Sequence, residues 1–361
     1  MDAGTTIQKI IERIGPTQKL CHLARLRTMP ITLSRRRFIT LAAAAAGLPL
    51  LLNAGSAQTK LVRWDGTALG APASIQLFHP DAAQARGAIA AGLDELKRLE
   101  AIFSLYRADS AVCALNREGV LENAPADFVA LLSRALALAE ISEGVYDPTV
   151  QPVWQLYFRH FTAAKPDPAG PAPQDIAAAL DKVDWRAVEV DAERRRIAFA
   201  HPGMALTLNG GAQGYITDRV ADVLRDHGFD RMLVDLGEPR ALSAKPDGSP
   251  WRIGIANPAD TSRIVTSLEV VNQCVATSGG YGTLFDEAGK FTHLIDTRSG
   301  RTAPALLGVS VVADSGTIAD GLSAAMLMAP IERRQAILKA AGGVRAIYVT
   351  PAGVVSTVDA Q

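Results

Sequence analysis

The sequence predicts an α+β fold in which mixed or antiparallel sheets pack against long helices. Strand-like segments come in clusters separated by single long helical segments, not in strict βαβ alternation. Two stretches, "DAAQARGAIAAGLDELKRLEAIF" and "DFVALLSRALALAEIS", repeat apolar residues at helical spacing. The chain's 361 residues, 48% of them hydrophobic and 20% charged, can bury one large core or two smaller ones.

Residues 1–57 are expected to form a leader. A basic cluster, Arg35, Arg36 and Arg37, precedes the apolar "LAAAAAGLPLLLNAGSAQ", which ends in small residues as a secretory signal does. Ser34 to Ile39 has the form of the bacterial twin-arginine signal, which implies periplasmic export of a folded protein. Cleavage is expected after Ala57, and Met29 is an alternative start. The apolar stretch is too short for a comfortable membrane span. No span is expected to remain after cleavage; an uncut anchor is the alternative.

A single domain is expected from 58 to 361. "KLVRWDGTALGAPASIQLFH" reads as one or two strands with a glycine turn. The first long helix lines one side with Ile89, Leu93, Leu96 and Leu99, and the second ends near Gly144. A Pro/Ala/Gly-rich loop from Lys165 to Gln174 leads to a short helix, "IAAALDKV", and a hairpin, "AVEVDAERRRIAFA". "MALTLNGGAQGYITDRVADVLRDHGFDRMLVDLG" then reads as strand, glycine-rich turn, helix and strand. Further strands are expected at "WRIGIANP", "IVTSLEVVNQCVATSGG", "FTHLIDT" and "LLGVSVVAD", before a helix from Ile318 and a last strand, "VRAIYVT".

With 37 basic and 37 acidic residues, the formal charge is zero. Nucleic-acid binding draws on net or clustered positive charge, so no such surface is expected. Past the leader, which holds Cys21, the cysteines are Cys113 and Cys274, with no CxxC and no histidine at metal spacing. They either pair in an oxidising compartment or stay as buried thiols.

Four clusters interrupt the apolar segments: "FSLYRADSAVCALN", "GVYDPTVQPVW", "LNGGAQGY" and "ATSGGYGTLFDEAGKFTHLIDTRSGR". The "NGGAQG" turn fits neither GxGxxG nor the Walker pattern. It still offers glycine amides at a helix start, where a phosphate binds, unless it is merely a tight connection. Asp320 is the one charged residue of "SGTIADGLSAAMLM". Ile318, Leu322, Ala325 and Met326 form one face of that helix, and Ala324 and Leu327 flank the acid, so the helix reads as buried. An unpaired buried carboxylate is costly. Three roles are open: a capping box with Thr317 as N-cap, a neutral acid, or a metal ligand.

The order and spacing of "FSLYRADS…LN", "YDPTV", "LNGGAQGYITDRVADVL", "LVDLG", "WRIGIANP", "ATSGGY", "HLIDTRSGR" and "VSVVADSGTIADGLSAAML" resemble the ApbE family of FAD:protein FMN transferases, from about Lys60 to the C-terminus. Within it, "SGGYGT" and the twin-arginine leader are similar to NosX, the member linked to nitrous oxide reduction. The resemblance implies a two-lobed, T-fold-like architecture. It also implies Mg²⁺-dependent transfer of FMN from FAD to a Thr or Ser hydroxyl, releasing AMP. The acceptor lies in a D-G-x-T/S-G-A-T-like motif of a client flavoprotein. FAD contacts are implied for Leu69, Tyr106, Val145, Tyr146, Asp147, Gln213, Ser278 and Ile295, and Mg²⁺ binding for the Gly210 carbonyl and Asp320. His293 is the implied catalytic proton acceptor, with Asp320 acting through the cation. One carboxylate with carbonyl and phosphate oxygens is a suitable ligand set for this hard ion.

The chain departs from the pattern in places. Ala324 stands where the family has a metal-binding Thr, with Ser323 beside it as a substitute; helical geometry turns the two positions 100° apart. "GEP" at Gly237, Glu238 and Pro239 replaces "GGD", and Thr207 replaces an Asp. These changes keep open a non-catalytic flavin-binding or assembly protein, and also simple FAD hydrolysis to FMN and AMP.

Overall fold

The computed structural model describes residues 59–303 and 307–361. The expected leader, its twin-arginine motif and its cleavage point lie outside the described residues.

The two strands expected at the start are β1 (Lys60–Ala68) and β2 (Ala71–His79), antiparallel partners. They turn at Leu69 and Gly70, whose φ values are +52° and +78°. Helix α1 (Ala82–Phe103) starts on Asp81, whose side chain accepts from Ala83 N and Gln84 N. Its Ile89, Leu96 and Leu99 are buried, as the spacing predicts. Then come α2 (Ala111–Glu118), β3 (Val120–Leu121), α3 (Ala126–Ile141), α4 (Gln151–Phe161) and α5 (Pro173–Leu180). The charged hairpin forms β4 (Val188–Asp191) and β5 (Arg196–Phe199), which join β3 in a small sheet. Helix α6 (Ala212–Asp226) leads into β6 (Met232–Asp235) and β7 (Pro239–Leu242), followed by β8 (Trp251–Asn257), β9 (Asp260–Val270) and β10 (Cys274–Gly279). The chain continues through β11 (Gly308–Ala313), α7 (Gly316–Met328), α8 (Arg334–Ala340), β12 (Gly343–Val349) and β13 (Val355–Asp359).

Eight strands form the main sheet in the order β1-β2-β6-β7-β10-β11-β12-β13. Each neighbouring pair runs antiparallel. Alternate residues serve opposite faces. Val234, Val309, Val311, Ala346 and Tyr348 pack into the core shared with the helices. Leu233, Val275, Val312, Ile347 and Val349 face the other way, where the β8–β9 hairpin covers them with Trp251, Ile253 and Ile255. A smaller cluster joins Val153 and Tyr157 of α4, Ala179 of α5 and Ile295, with Phe285 and Phe291 against it. This is the second lobe, and the architecture is α+β as expected.

Local details differ from the expectation in four places. Met204–Leu208 forms no ladder, because Asn116 takes the partner's place: its Nδ2 donates to Leu206 O at 2.8 Å and its Oδ1 accepts from Leu206 N at 2.6 Å. "FTHLIDT" makes only isolated bridges, Leu284 with Thr292 and Ile295 with Thr302. "IVTSLEVVNQCVATSGG" splits into β9 and β10 around Asn272, whose φ is +58°. A final edge strand, β13, follows the one expected to be last. Cys113 and Cys274 are buried and form no disulfide, so the pairing alternative is not realised. None of the described helices is long and apolar enough to cross a membrane.

Candidate active site

Helices α6 and α7 cross backbone to backbone. A Cβ placed on Gly214 would stand 2.0 Å from Gly316 O and 2.8 Å from Asp320 Cβ; one on Gly316 would stand 2.7 Å from Gly214 O. Real Cβ atoms do not approach so closely, so the two glycines are what permits the crossing.

The crossing settles how α7 begins. Its N-cap is Ser315, and its first-turn amides are bound by Asp218 of α6: Gly316 N donates to Oδ1 at 2.8 Å and Thr317 N to Oδ2 at 3.0 Å. The capping box of Thr317 with Asp320 is therefore not formed. Asp218, 98 positions before Gly316, supplies a charged acceptor, and the helix starts before Thr317. Asp320 is only 5% exposed. Its Oδ2 accepts from Gly214 N at 2.9 Å, one of the first-turn amides of α6 that no intrahelical carbonyl can serve. The carboxylate thus faces the "NGGAQG" turn from inside the protein.

The Gly210 carbonyl faces α7 at the residue after Asp320, 3.5 Å from where a Cβ on Gly321 would stand. Gly210 also packs against Tyr146, whose Cε2 would lie 3.2 Å from its Cβ, and against Ala324. Burial, then the charge of Asp320, raises the Tyr146 hydroxyl pKa well above the usual range. Ser323 is fully buried; its hydroxyl donates to Asp320 O at 2.9 Å and so accepts from Ser278 Oγ at 2.7 Å. That pair ties the end of β10 to α7. Gln213 reaches Leu236 O with Nε2 at 3.0 Å, passing 1.8 Å from where a Cβ on Gly237 would be.

The remaining candidates have partners of their own elsewhere in the fold. Val145 and Tyr146 are buried in the main core. Asp147 is spent on its own turn: Oδ1 accepts from Thr149 N and Thr149 Oγ1, both at 2.7 Å, and Oδ2 from Trp185 N at 3.2 Å. Burial raises its pKa. His293 Nδ1 lies 3.1 Å from Thr283 O and 3.3 Å from Thr283 N, and Thr283 O accepts from His293 N. The loop of His293 is tied to the second cluster, because Thr297 Oγ1 donates to Gly144 O. Ile295 sits in the small lobe's core. Leu69 is held on α1, its N donating to Glu100 Oε1 at 3.2 Å, and Tyr106 lies just beyond the end of α1, 69% exposed.

Two structural roles were not read from the sequence. Glu238 turns inward, 5% exposed, and its Oε2 accepts from Thr277 N at 3.0 Å, joining β7 to β10 beside Ser278. Asp218 had a legible sign: it stands four residues after Gly214, on the same face of α6.

Among the described residues, no three His, Cys, Asp or Glu side chains gather into a metal cluster. The donors that meet at the crossing are of another kind. The Asp320 carboxylate and the Gly210 carbonyl, both carried on or facing α7, are hard oxygens of the type that suits Mg²⁺. A cleft of about 320 Å³ opens on the Asp218 side instead, lined by residues of both charges including Arg134, Arg219 and Asp222. Its mixed walls give no single ligand chemistry.

A model of the ApbE family matches residues 69–348. The chain is 31% identical over 289 residues to the FAD:protein FMN transferase of Treponema pallidum, covering 75% of this chain and 79% of that one. The crystal structure of the Pseudomonas stutzeri flavinyl transferase ApbE, apo form, is similar with a TM-score of 0.69 and 27% identity, covering 84% of this chain and 97% of its own. The flavin transferase ApbE from Vibrio cholerae gives a TM-score of 0.71 at 25% identity, over 84% and 98%.

Proposed function

This chain belongs to the ApbE family, and we propose that it is an FAD:protein FMN transferase that moves the FMN half of FAD onto a Thr or Ser hydroxyl of a client flavoprotein. One observation carries the finer reading: the buried Asp320 carboxylate meets the start of the "NGGAQG" helix, with the Gly210 carbonyl over the same turn. Asp320 and the Gly210 carbonyl would hold Mg²⁺, and the bound ion would meet the diphosphate. When bound, that ion neutralises charge on the diphosphate as the bond to the bridging oxygen breaks.

The client's hydroxyl oxygen attacks the FMN-side phosphorus, and AMP leaves. His293, whose Nδ1 lies 3.1 Å from Thr283 O and 3.3 Å from Thr283 N, is the residue assigned to take the hydroxyl proton and pass it to the departing AMP phosphate. The leader motif supports twin-arginine export of a mature domain from residue 58 to 361 and a periplasmic client. The "SGGYGT" segment supports a component of nitrous oxide reduction as that client.

A non-catalytic flavin binder is the second reading. It is favoured by Ala324 at the place of a ligand Thr and by the engagement of Ser323's hydroxyl with Asp320 O and Ser278. The test is incubation with FAD, Mg²⁺ and a client fragment bearing the acceptor motif. Transfer leaves in-gel flavin fluorescence and releases AMP only with client present. Tight FAD binding without AMP, beside an active relative as control, supports the binder. AMP at equal rates with and without client identifies FAD hydrolysis.

A further inference from the structure

We propose that Asp218 is a positioning residue for the cation site: it caps α7 from the neighbouring helix and thereby frees Asp320 to face α6. This rests on the reading of Asp320 as a cation ligand.

The two helices exchange caps. Helix α7 has no side-chain cap of its own, and neither has α6. Asp218 of α6 accepts from Gly316 N at 2.8 Å, from Thr317 N at 3.0 Å and Thr317 Oγ1 at 3.1 Å, and from Ser315 Oγ at 2.8 Å. Asp320 of α7 accepts in return from Gly214 N. Arg240 Nε stands 3.5 Å from Asp218 Oδ1 and steadies the carboxylate from β7.

The sequence of α7 also permits another start. With Thr317 as N-cap, Asp320 is the third helical residue, and its carboxylate turns back to Thr317 N in a capping box. In that arrangement it is spent inside its own helix, turned from Gly214 and the Gly210 carbonyl. Asp218 opposes this state directly, because it already accepts from the Thr317 amide that the box would give to Asp320, and from the Thr317 hydroxyl as well. An acidic side chain near a helix start is ordinarily read as stabilising that helix. Here the more specific consequence is a choice between two destinations for Asp320.

The experiment uses the full mature protein and measures binding of Mn²⁺ alone by electron paramagnetic resonance, alongside thermal unfolding. Asp218→Ala is expected to weaken Mn²⁺ binding by about tenfold, in proportion to the loss of a helix cap, and Asp218→Asn by less, since its one remaining acceptor oxygen serves part of the set. Adding Thr317→Val to Asp218→Ala makes residue 317 a poor N-cap, so Mn²⁺ affinity is expected to recover in part while the unfolding temperature does not. If Asp218→Ala does not fold, Asp218→Asn carries the comparison against wild type. A lower unfolding temperature with Mn²⁺ affinity within about twofold of wild type, judged against that same tenfold expectation, overturns the inference and leaves Asp218 a purely structural residue. Wild-type protein that binds no Mn²⁺ overturns the cation reading of Asp320, and this inference with it.

Discussion

The substitution Gly214→Ala puts the geometry of the helix crossing to the sharpest test. The added methyl would lie 2.0 Å from Gly316 O and 2.4 Å from Gly316 C, atoms of a backbone that cannot swing aside as a side chain can. Ordinary van der Waals contact begins at 3.4 Å, so α7 must withdraw from α6 by roughly 1 Å or more. Overpacking of this kind typically costs about 1–3 kcal/mol, and a carbonyl as the obstacle puts this case at the upper end. For a domain of this size that is a fall of roughly 3–5 °C in unfolding temperature. The withdrawal carries Asp320 away from Gly214 N, and a displacement near 1 Å can lower a rate by about 10²-fold. Thermal unfolding followed by circular dichroism measures the first effect, and client-dependent AMP release the second. Gly87→Ala in α1 is the control, since nothing lies within 4 Å of its added methyl and alanine is the better helix former. A Gly214→Ala protein that unfolds within about 2 °C of wild type and transfers FMN at the wild-type rate would refute the close crossing, given the several degrees expected.

Two further outcomes are expected. His293→Ala should lower the transfer rate by about 10²-fold or more while FAD affinity holds, because its ring is assigned to proton transfer; single-turnover kinetics with and without client separate the two. Asp235, buried at the end of β6, has its pKa pushed up to about 6, mainly by desolvation, with the Gly237 amide opposing. A native pKa above the unfolded value means the native state binds more protons, so this group's contribution to stability falls as pH rises from about 4 to 6 and levels off beyond. Asp235→Asn should therefore be more stable than wild type at pH 7.5, by roughly 1–3 kcal/mol, with the gap narrowing toward pH 4. Denaturant titrations across that range check it, and a gap that widens toward acid pH would contradict the burial of an ionised group.

What the sequence reveals and what it hides divide along physical lines. Periodicity finds α1 and α3 because each has one apolar stripe, and alternation finds the β4–β5 hairpin because its two strands are joined by a charged turn. It misreads Met204–Leu208, since a strand-like pattern there is satisfied by one side chain, Asn116, lying 90 positions before Leu206. Asp320 stands out as a charge in an apolar helix, yet its local surroundings favour the capping box with Thr317. Only a distant acceptor, Asp218, removes that alternative, and no local pattern announces such a partner. Glu238 looks like a disruptive charge in sequence, but in the fold it serves a backbone amide of β10. Ile295 and Asp147 lie in the expected segments, one packed in the small lobe and the other bonded to its own turn. Segments are legible from composition; the direction of a side chain depends on what crosses it.

The most direct test of Asp320 as the centre of the reaction is mass spectrometry of a motif-bearing client fragment after incubation with FAD, Mg²⁺ and either the wild-type protein or Asp320→Ala. The expected result is a client heavier by one FMN less one water with wild type, and an unmodified client with the variant. A modified client with Asp320→Ala at the wild-type rate would show that the buried carboxylate is not what the transfer depends on.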